Sequence, residues 1–99
     1  MHIISQKRVA EFWLKHADAE TSLRYWYKLT RNAQWKNLVE LKQEFPAADQ
    51  VGRLTVFNIG GNKYRLIARV QYRFRKVYIR TILTHAEYDK EDWKKDPWF

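Results

Sequence analysis

Ninety-nine residues carrying a formal charge of +8 suffice for one domain, spanning 1–99, with one modest core. A composition of 45% hydrophobic, 30% charged and 16% aromatic residues excludes a disordered chain, and the lack of cysteine excludes disulfides and thiolate-bound zinc. No stretch is long and apolar enough for a membrane span or a secretion signal, and His2, His16 and His85 show no metal-ligand spacing, so a cytoplasmic protein without metal or cofactor is expected.

In chain order, Ile3-Ile4 is either a short edge strand or the approach to a helix. Helical periodicity then runs from about Ser5 to His16, with Val9, Phe12 and Trp13 on one face and Ser5 as N-cap. A second helix is expected over Glu20–Asn32, capped by Asp18, with Leu23, Trp26, Tyr27 and Leu29 as its apolar stripe. "NLVE" at 37–40 has a capping-box pattern. The short helix after it buries Leu38, Leu41 and Phe45 and stops before Pro46. "PAADQVGR" reads as a surface loop.

From Leu54 the period becomes two. "LTVFNI" is a strand, Gly60-Gly61-Asn62 a tight reversal, "KYRLIARVQYRF" a second strand and "VYIRTILT" a third, an antiparallel meander with Arg75-Lys76 at its second turn. A final helix is expected from His85-Ala86 to Trp93. The fold class is therefore α+β: N-terminal helices on a small, mainly antiparallel sheet, with a short C-terminal helix.

The charge is placed unevenly. Between Gln50 and Ala86 lie Arg53, Lys63, Arg65, Arg69, Arg73, Arg75, Lys76 and Arg80 with no Asp or Glu, whereas the rest of the chain holds 11 basic and 11 acidic residues. Strand alternation puts Tyr64, Leu66, Ala68, Val70 and Tyr72 on one face and Arg65, Ile67, Arg69, Gln71 and Arg73 on the other. In the third strand, Val77, Ile79, Thr81 and Leu83 form the core set, so Arg80 joins Arg65 and Arg69 on an open basic shelf. Such a surface attracts polyanions, nucleic acid first among them. A solvated face and an anionic protein partner are the plainer readings.

His85 emerges at the shelf's edge, with Tyr88 about one helical turn later. Arginine stabilises a pentacoordinate phosphorane, histidine moves a proton near neutrality, and tyrosine stacks on a base. These are the parts of metal-free RNA cleavage. Each residue also has a bland use: His85 as an exposed loop residue, Tyr88 as packing, Lys63 and Asn62 as turn chemistry, Asp89 as a helix cap.

Phe57 to Arg65 ("F-N-x-G-G-N-x-x-R"), Tyr78 to Arg80 ("Y-I-R") and Thr84 to Asp89 ("T-H-x-E-Y-D") closely resemble the HigB family of bacterial toxins, within the RelE-like superfamily, and the likeness spans nearly the whole chain. The resemblance implies a ribosome-dependent mRNA interferase of a type II toxin–antitoxin pair that cuts by 2′-OH attack without a metal. It implies mRNA on the ribosome as target, a cognate antitoxin of helix-turn-helix type as partner, and operator DNA only through that antitoxin. By position, Arg65, His85, Tyr88 and Arg80 become the catalytic candidates; the basic face and its turn, read from the residues alone, offer Lys63, Arg69, Arg73 and Asn62 as RNA contacts. The chain departs from RelE itself along the first long strand, where "TVFNIGG" offers only Asn58 in place of lysines, so the resemblance assigns no general base. Two other uses of the same surface are a non-catalytic RNA- or ribosome-binding module and an antitoxin-binding corepressor.

Overall fold

The structure is a computed structural model that describes residues 1–99. Its elements are β1 (His2–Ile4), α1 (Lys7–Lys15), α2 (Glu20–Asn32), α3 (Leu38–Glu44), β2 (Asp49–Val51), β3 (Leu54–Ile59), β4 (Tyr64–Gln71), β5 (Lys76–Thr84) and α4 (His85–Asp89). Short 3-10 turns lie at Ala17–Ala19 and Asp92–Lys95. The class is α+β, as expected. One five-stranded sheet has the order β1-β5-β4-β3-β2. β3, β4 and β5 form the antiparallel meander, and β1 adds in parallel along β5, with Ile3 beside Val77.

β2 lies inside the stretch read as a loop, paired antiparallel with β3. Its three residues sit at the sheet edge with Asp49 and Gln50 exposed, so no apolar alternation marks it in the sequence. The β3–β4 reversal falls where expected, and Gly60 and Gly61 take φ of +62° and +66°, which glycine occupies without Cβ strain.

The three longer helices cover one sheet face. Val9, Leu23, Trp26, Thr30 and Leu41 are buried against Phe57, Ile59, Leu66, Ala68, Val77 and Ile79. Phe57 takes Trp26 and Phe45 edge-on, with ring centroids at 5.4 and 5.3 Å. Asn37 caps α3 by accepting from the Glu40 amide at 3.0 Å, while the Glu40 carboxylate reaches back to the Lys36 amide instead of closing the box on Asn37. Neither of the other expected caps forms. Ser5 takes φ +70° and α1 starts after Gln6; Asp18 faces Tyr64 and Lys63 instead of the α2 amides.

The opposite face is not an open shelf. A β-bulge in β5 explains why: Ile67 pairs with Thr81 but Ala68 pairs with Ile79, which leaves Arg80 as an extra residue. Val77 and Ile79 therefore face the helices, and beyond the bulge Ile82 takes over that side. Leu83 packs on the other side, so the single core set expected for β5 is split in two. There Leu54, Val56 and Ile67 form a second apolar cluster under Trp93, Trp98 and Phe99 from the end of the chain.

The covering segment is pinned by charge. Asp96 accepts from Arg80 Nε at 2.9 Å and Nη2 at 3.2 Å, and from the Trp98 amide at 2.8 Å. The Arg80 guanidinium lies 4.2 Å from the Trp98 ring centroid. Arg53 donates to the carbonyls of Phe99 and Pro97. The helix expected to reach Trp93 stops at Asp89 because Glu91 turns left-handed, with φ +64°. That break lets Asp92–Lys95 fold back over the sheet. α4 begins with a complete capping box: Thr84 accepts from the Glu87 amide and Glu87 accepts from the Thr84 amide.

Two stability experiments follow from these contacts. Thr84→Ala removes the α4 cap and should cost about 1 kcal/mol in urea unfolding. Burial alone would raise the Asp96 pKa, but the hydrogen bonds from Arg80 and the Trp98 amide, with the Arg80 and Arg8 charges, hold it below its ordinary value. A depressed carboxylate stabilises the fold above its unfolded pKa of about 3.9 and loses that contribution as pH falls through the folded value. Asp96→Asn should therefore destabilise by about 1–3 kcal/mol near neutrality, and its deficit relative to the parent should shrink in unfolding curves taken below about pH 4.

Candidate functional site

Arg65 stands in the second row of β4, directly across from Asn58 on β3 and Leu83 on β5. It is 8% exposed, and nearby oxygens compensate the burial of its charge. Nη1 donates to the carbonyls of Asn62 and Tyr64 at 3.2 and 3.1 Å, and Nη2 donates to Asn62 Oδ1. The Asn62 side chain, read as turn chemistry or an RNA contact, is thus the brace of Arg65.

The Tyr88 ring lies 5.3 Å from the Arg65 guanidinium carbon, a cation–π approach. Tyr88 is held in turn by Trp93, whose ring stacks on it at 5.3 Å with a 13° tilt and whose indole N–H donates to the Tyr88 carbonyl. In the sequence Tyr88 falls one turn after His85, but nothing local points to Trp93, because contact between Tyr88 and Trp93 depends on the chain reversal at Glu91.

His85 is the first residue of α4. Its amide donates to the Lys63 carbonyl at 3.0 Å, which ties the helix start to the β3–β4 reversal. Nδ1 lies 3.0 Å from Asp89 Oδ2, one helical turn on, and the imidazole is 45% exposed. Asp89 therefore orients this histidine. With Nδ1 so engaged, Nε2 is the atom left for an incoming group.

A polar neighbourhood that periodicity did not reveal borders the reversal. Tyr64 donates its phenol to Asp18, which also pairs with Lys63 at 3.3 Å. The Tyr64 bond, opposed by some burial and aided by Lys63, depresses the Asp18 pKa, and the same bond raises that of Tyr64. His16 stacks on Phe12 at 4.4 Å and approaches Tyr64 at 5.4 Å. Glu87 is held low by the Thr84 amide, against some burial, with further help from the Thr84 hydroxyl and the nearby charges of His16 and Lys90. "T-x-x-E" at 84–87 was the available signal for the Glu87 contact.

The structure thus gathers His85, Arg65, Tyr88, Asn62 and Lys63 at one end of the sheet and leaves three candidates elsewhere. Arg80 is engaged by Asp96 and Trp98. Arg69 lies four residues along β4 from Arg65, roughly 13 Å at ~3.3 Å per residue. Arg73 lies in the turn past Gln71, the far end of that strand, which is itself roughly 20 Å from Arg65 on the same spacing. No three His, Asp or Glu side chains gather as metal ligands, and no helix is long and apolar enough to cross a membrane.

Comparison with known proteins places the chain in a family. A profile described as HigB toxin, RelE-like toxic component of a toxin–antitoxin system, matches residues 19–91. The chain is 36% identical over 92 residues to the mRNA interferase toxin HigB of Escherichia coli and to the mRNA interferase HigB of Shigella flexneri, covering 90% of this chain and 88% of each relative. A further mRNA interferase HigB from another Escherichia coli strain is 29% identical over 93 residues, covering 91% of this chain and 90% of the relative. The chain belongs to the HigB family of RelE-like toxins, the toxic components of toxin–antitoxin systems, with a cognate antitoxin as its implied partner.

Proposed function

We propose that this toxin is an endoribonuclease that enters the translating ribosome and cuts mRNA by 2′-OH attack, without a metal. The 2′-oxygen forms a bond to the adjacent phosphorus as its proton leaves, a phosphorane forms, and the P–O5′ bond breaks as the 5′-oxygen takes up a proton. The products are a 2′,3′-cyclic phosphate and a 5′-hydroxyl. His85 gives or takes one of these protons through Nε2. Arg65 carries five N–H donors, three of which are bound within the protein, leaving two for the phosphate. Tyr88 positions a nucleotide, and Asn62 and Lys63 line its approach.

Arg80 takes a bracing role in this reading, because Asp96 and Trp98 already occupy its guanidinium. The observation that carries the proposal is the pairing of a half-exposed, Asp89-oriented histidine with an arginine–tyrosine pair at the same sheet end. The relatives named mRNA interferases support mRNA as the target. The antitoxin partner is expected to be of helix-turn-helix type and to bring the toxin to operator DNA only indirectly.

His85→Gln should relieve growth inhibition on induced expression while leaving fold and antitoxin binding intact; undiminished toxicity removes His85 from the mechanism. Mapping of mRNA 5′ ends after induction should show new ends only while translation continues. No new ends favours a non-catalytic ribosome-binding module, and ends formed without translation contradict the ribosomal requirement. Arg65→Ala should lower the cleavage rate by about 10²–10³-fold with a modest change in Tm. A collapse of Tm instead assigns Arg65 to the fold.

A further inference from the structure

Eight cations lie between Gln50 and Ala86 with no acid among them, and the fold engages only some of them. Arg80 is bound by Asp96, Lys63 by Asp18, Arg65 by Asn62 and the backbone, and Arg53 by the backbone of the last residues. Arg69, Arg73, Arg75 and Lys76 make no ion pair and no side-chain hydrogen bond. Arg73, Arg75 and Lys76 lie at the end of the sheet where β4 turns into β5, remote from His85 and Arg65, and Arg69 lies two residues before the end of β4.

The turn carries further marks of a docking surface. Arg75 donates its amide to the Tyr72 carbonyl at 3.2 Å and so closes a four-residue reversal. Tyr72 packs inward against the helix-side core, which anchors the turn. Phe74 points outward, 61% exposed, with the Arg73 guanidinium 5.7 Å from its ring centroid. Arg75 occupies φ +54°, a left-handed conformation in which glycine or asparagine is the easier choice. Folding alone thus gains nothing from arginine at this position, and an exposed phenylalanine does nothing for solubility. Unpaired guanidinium groups around an outward aromatic ring form a surface that grips phosphates and stacks an unpaired base.

We propose that the β4–β5 turn, Arg73 to Lys76 with Arg69 beside it, is a second RNA-docking surface that holds the phosphate backbone at a distance from the cleaved bond. It rests on reading the chain as an RNA-directed toxin. The surface supplies affinity and orientation through phosphate contact and carries no base sequence preference of its own.

The test uses the full chain in a His85→Gln background, so that binding is read without cleavage. Affinity for purified bacterial ribosomes, and separately for an isolated single-stranded mRNA fragment, is measured across a salt series. The parent is compared with a variant carrying Arg73→Gln, Arg75→Gly and Lys76→Gln. The variant should bind more weakly, with a log–log salt dependence shallower by about two to three, while its Tm stays level or rises because Arg75→Gly relieves the left-handed residue. Restoring charge with Arg73→Lys and Arg75→Lys should recover most of the affinity. Loss on ribosomes alone assigns the contact to ribosomal RNA, and loss on both probes assigns it to RNA backbone in general.

Unchanged affinity and salt slope on both probes overturns the proposal, as does a parent that binds neither. Loss of cognate antitoxin in a co-purification, with RNA binding intact, overturns it in favour of a protein partner. Failure of the cleavage reading looks different: active protein yields no new mRNA ends, yet the turn variant still loses ribosome affinity.

Discussion

The ion pair between Arg80 and Asp96 joins an irregularity in β5 to the last residues of the chain, and the candidate site inherits its geometry from that joint. The bulge at Arg80 has two effects. It lets Val77, Ile79 and Ile82 all face the helices, and it directs a guanidinium to the opposite side, where Asp96 and Trp98 receive it. The end of the chain is thereby laid over Leu54, Val56 and Ile67. Trp93 then stacks on Tyr88, and Tyr88 lies over Arg65. A site arginine deep enough to be 8% exposed keeps its charge because Asn62 and two carbonyls satisfy it from below.

Much of the fold was legible in the sequence because its signals are local. The strand "LTVFNI", the Gly60-Gly61 reversal, the α2 span and the Asn37 cap all follow from period, φ preference or side-chain reach within a few residues. What escaped reading depends on distant partners. A bulge leaves no mark in alternation, so Thr81 and Leu83 were grouped with Val77 and Ile79. Asp18 looked like a helix cap because nothing local revealed Tyr64, 46 residues away in sequence. "W" and "WF" at 93 and 98–99 looked like a tail, since only the left-handed turn at Glu91 brings them back over the sheet.

The site shows the same division. Residue type and motif make Arg65, Tyr88 and His85 candidates, and the fold brings them to one end of the sheet. Arg80 was grouped with them on sequence spacing, yet an acid from outside its own segment binds it. The acid-free stretch correctly marked where positive charge accumulates but not which cations the fold would engage. That distinction separates the two ends of the sheet. At one end, cations are braced in fixed geometry at the sheet end that carries His85, as the proposed chemistry on a phosphate requires. At the other they are left without an ion pair, as suits contact with a polyanion of any sequence.

Attack by the 2′-OH is the central chemical claim, and the termini of the cut RNA test it most directly. The purified toxin is incubated with programmed ribosomes and a defined mRNA, and both product ends are identified by mass spectrometry. Metal-free transesterification predicts a 2′,3′-cyclic phosphate on the upstream fragment and a 5′-hydroxyl on the downstream one. A 3′-hydroxyl paired with a 5′-phosphate would contradict it.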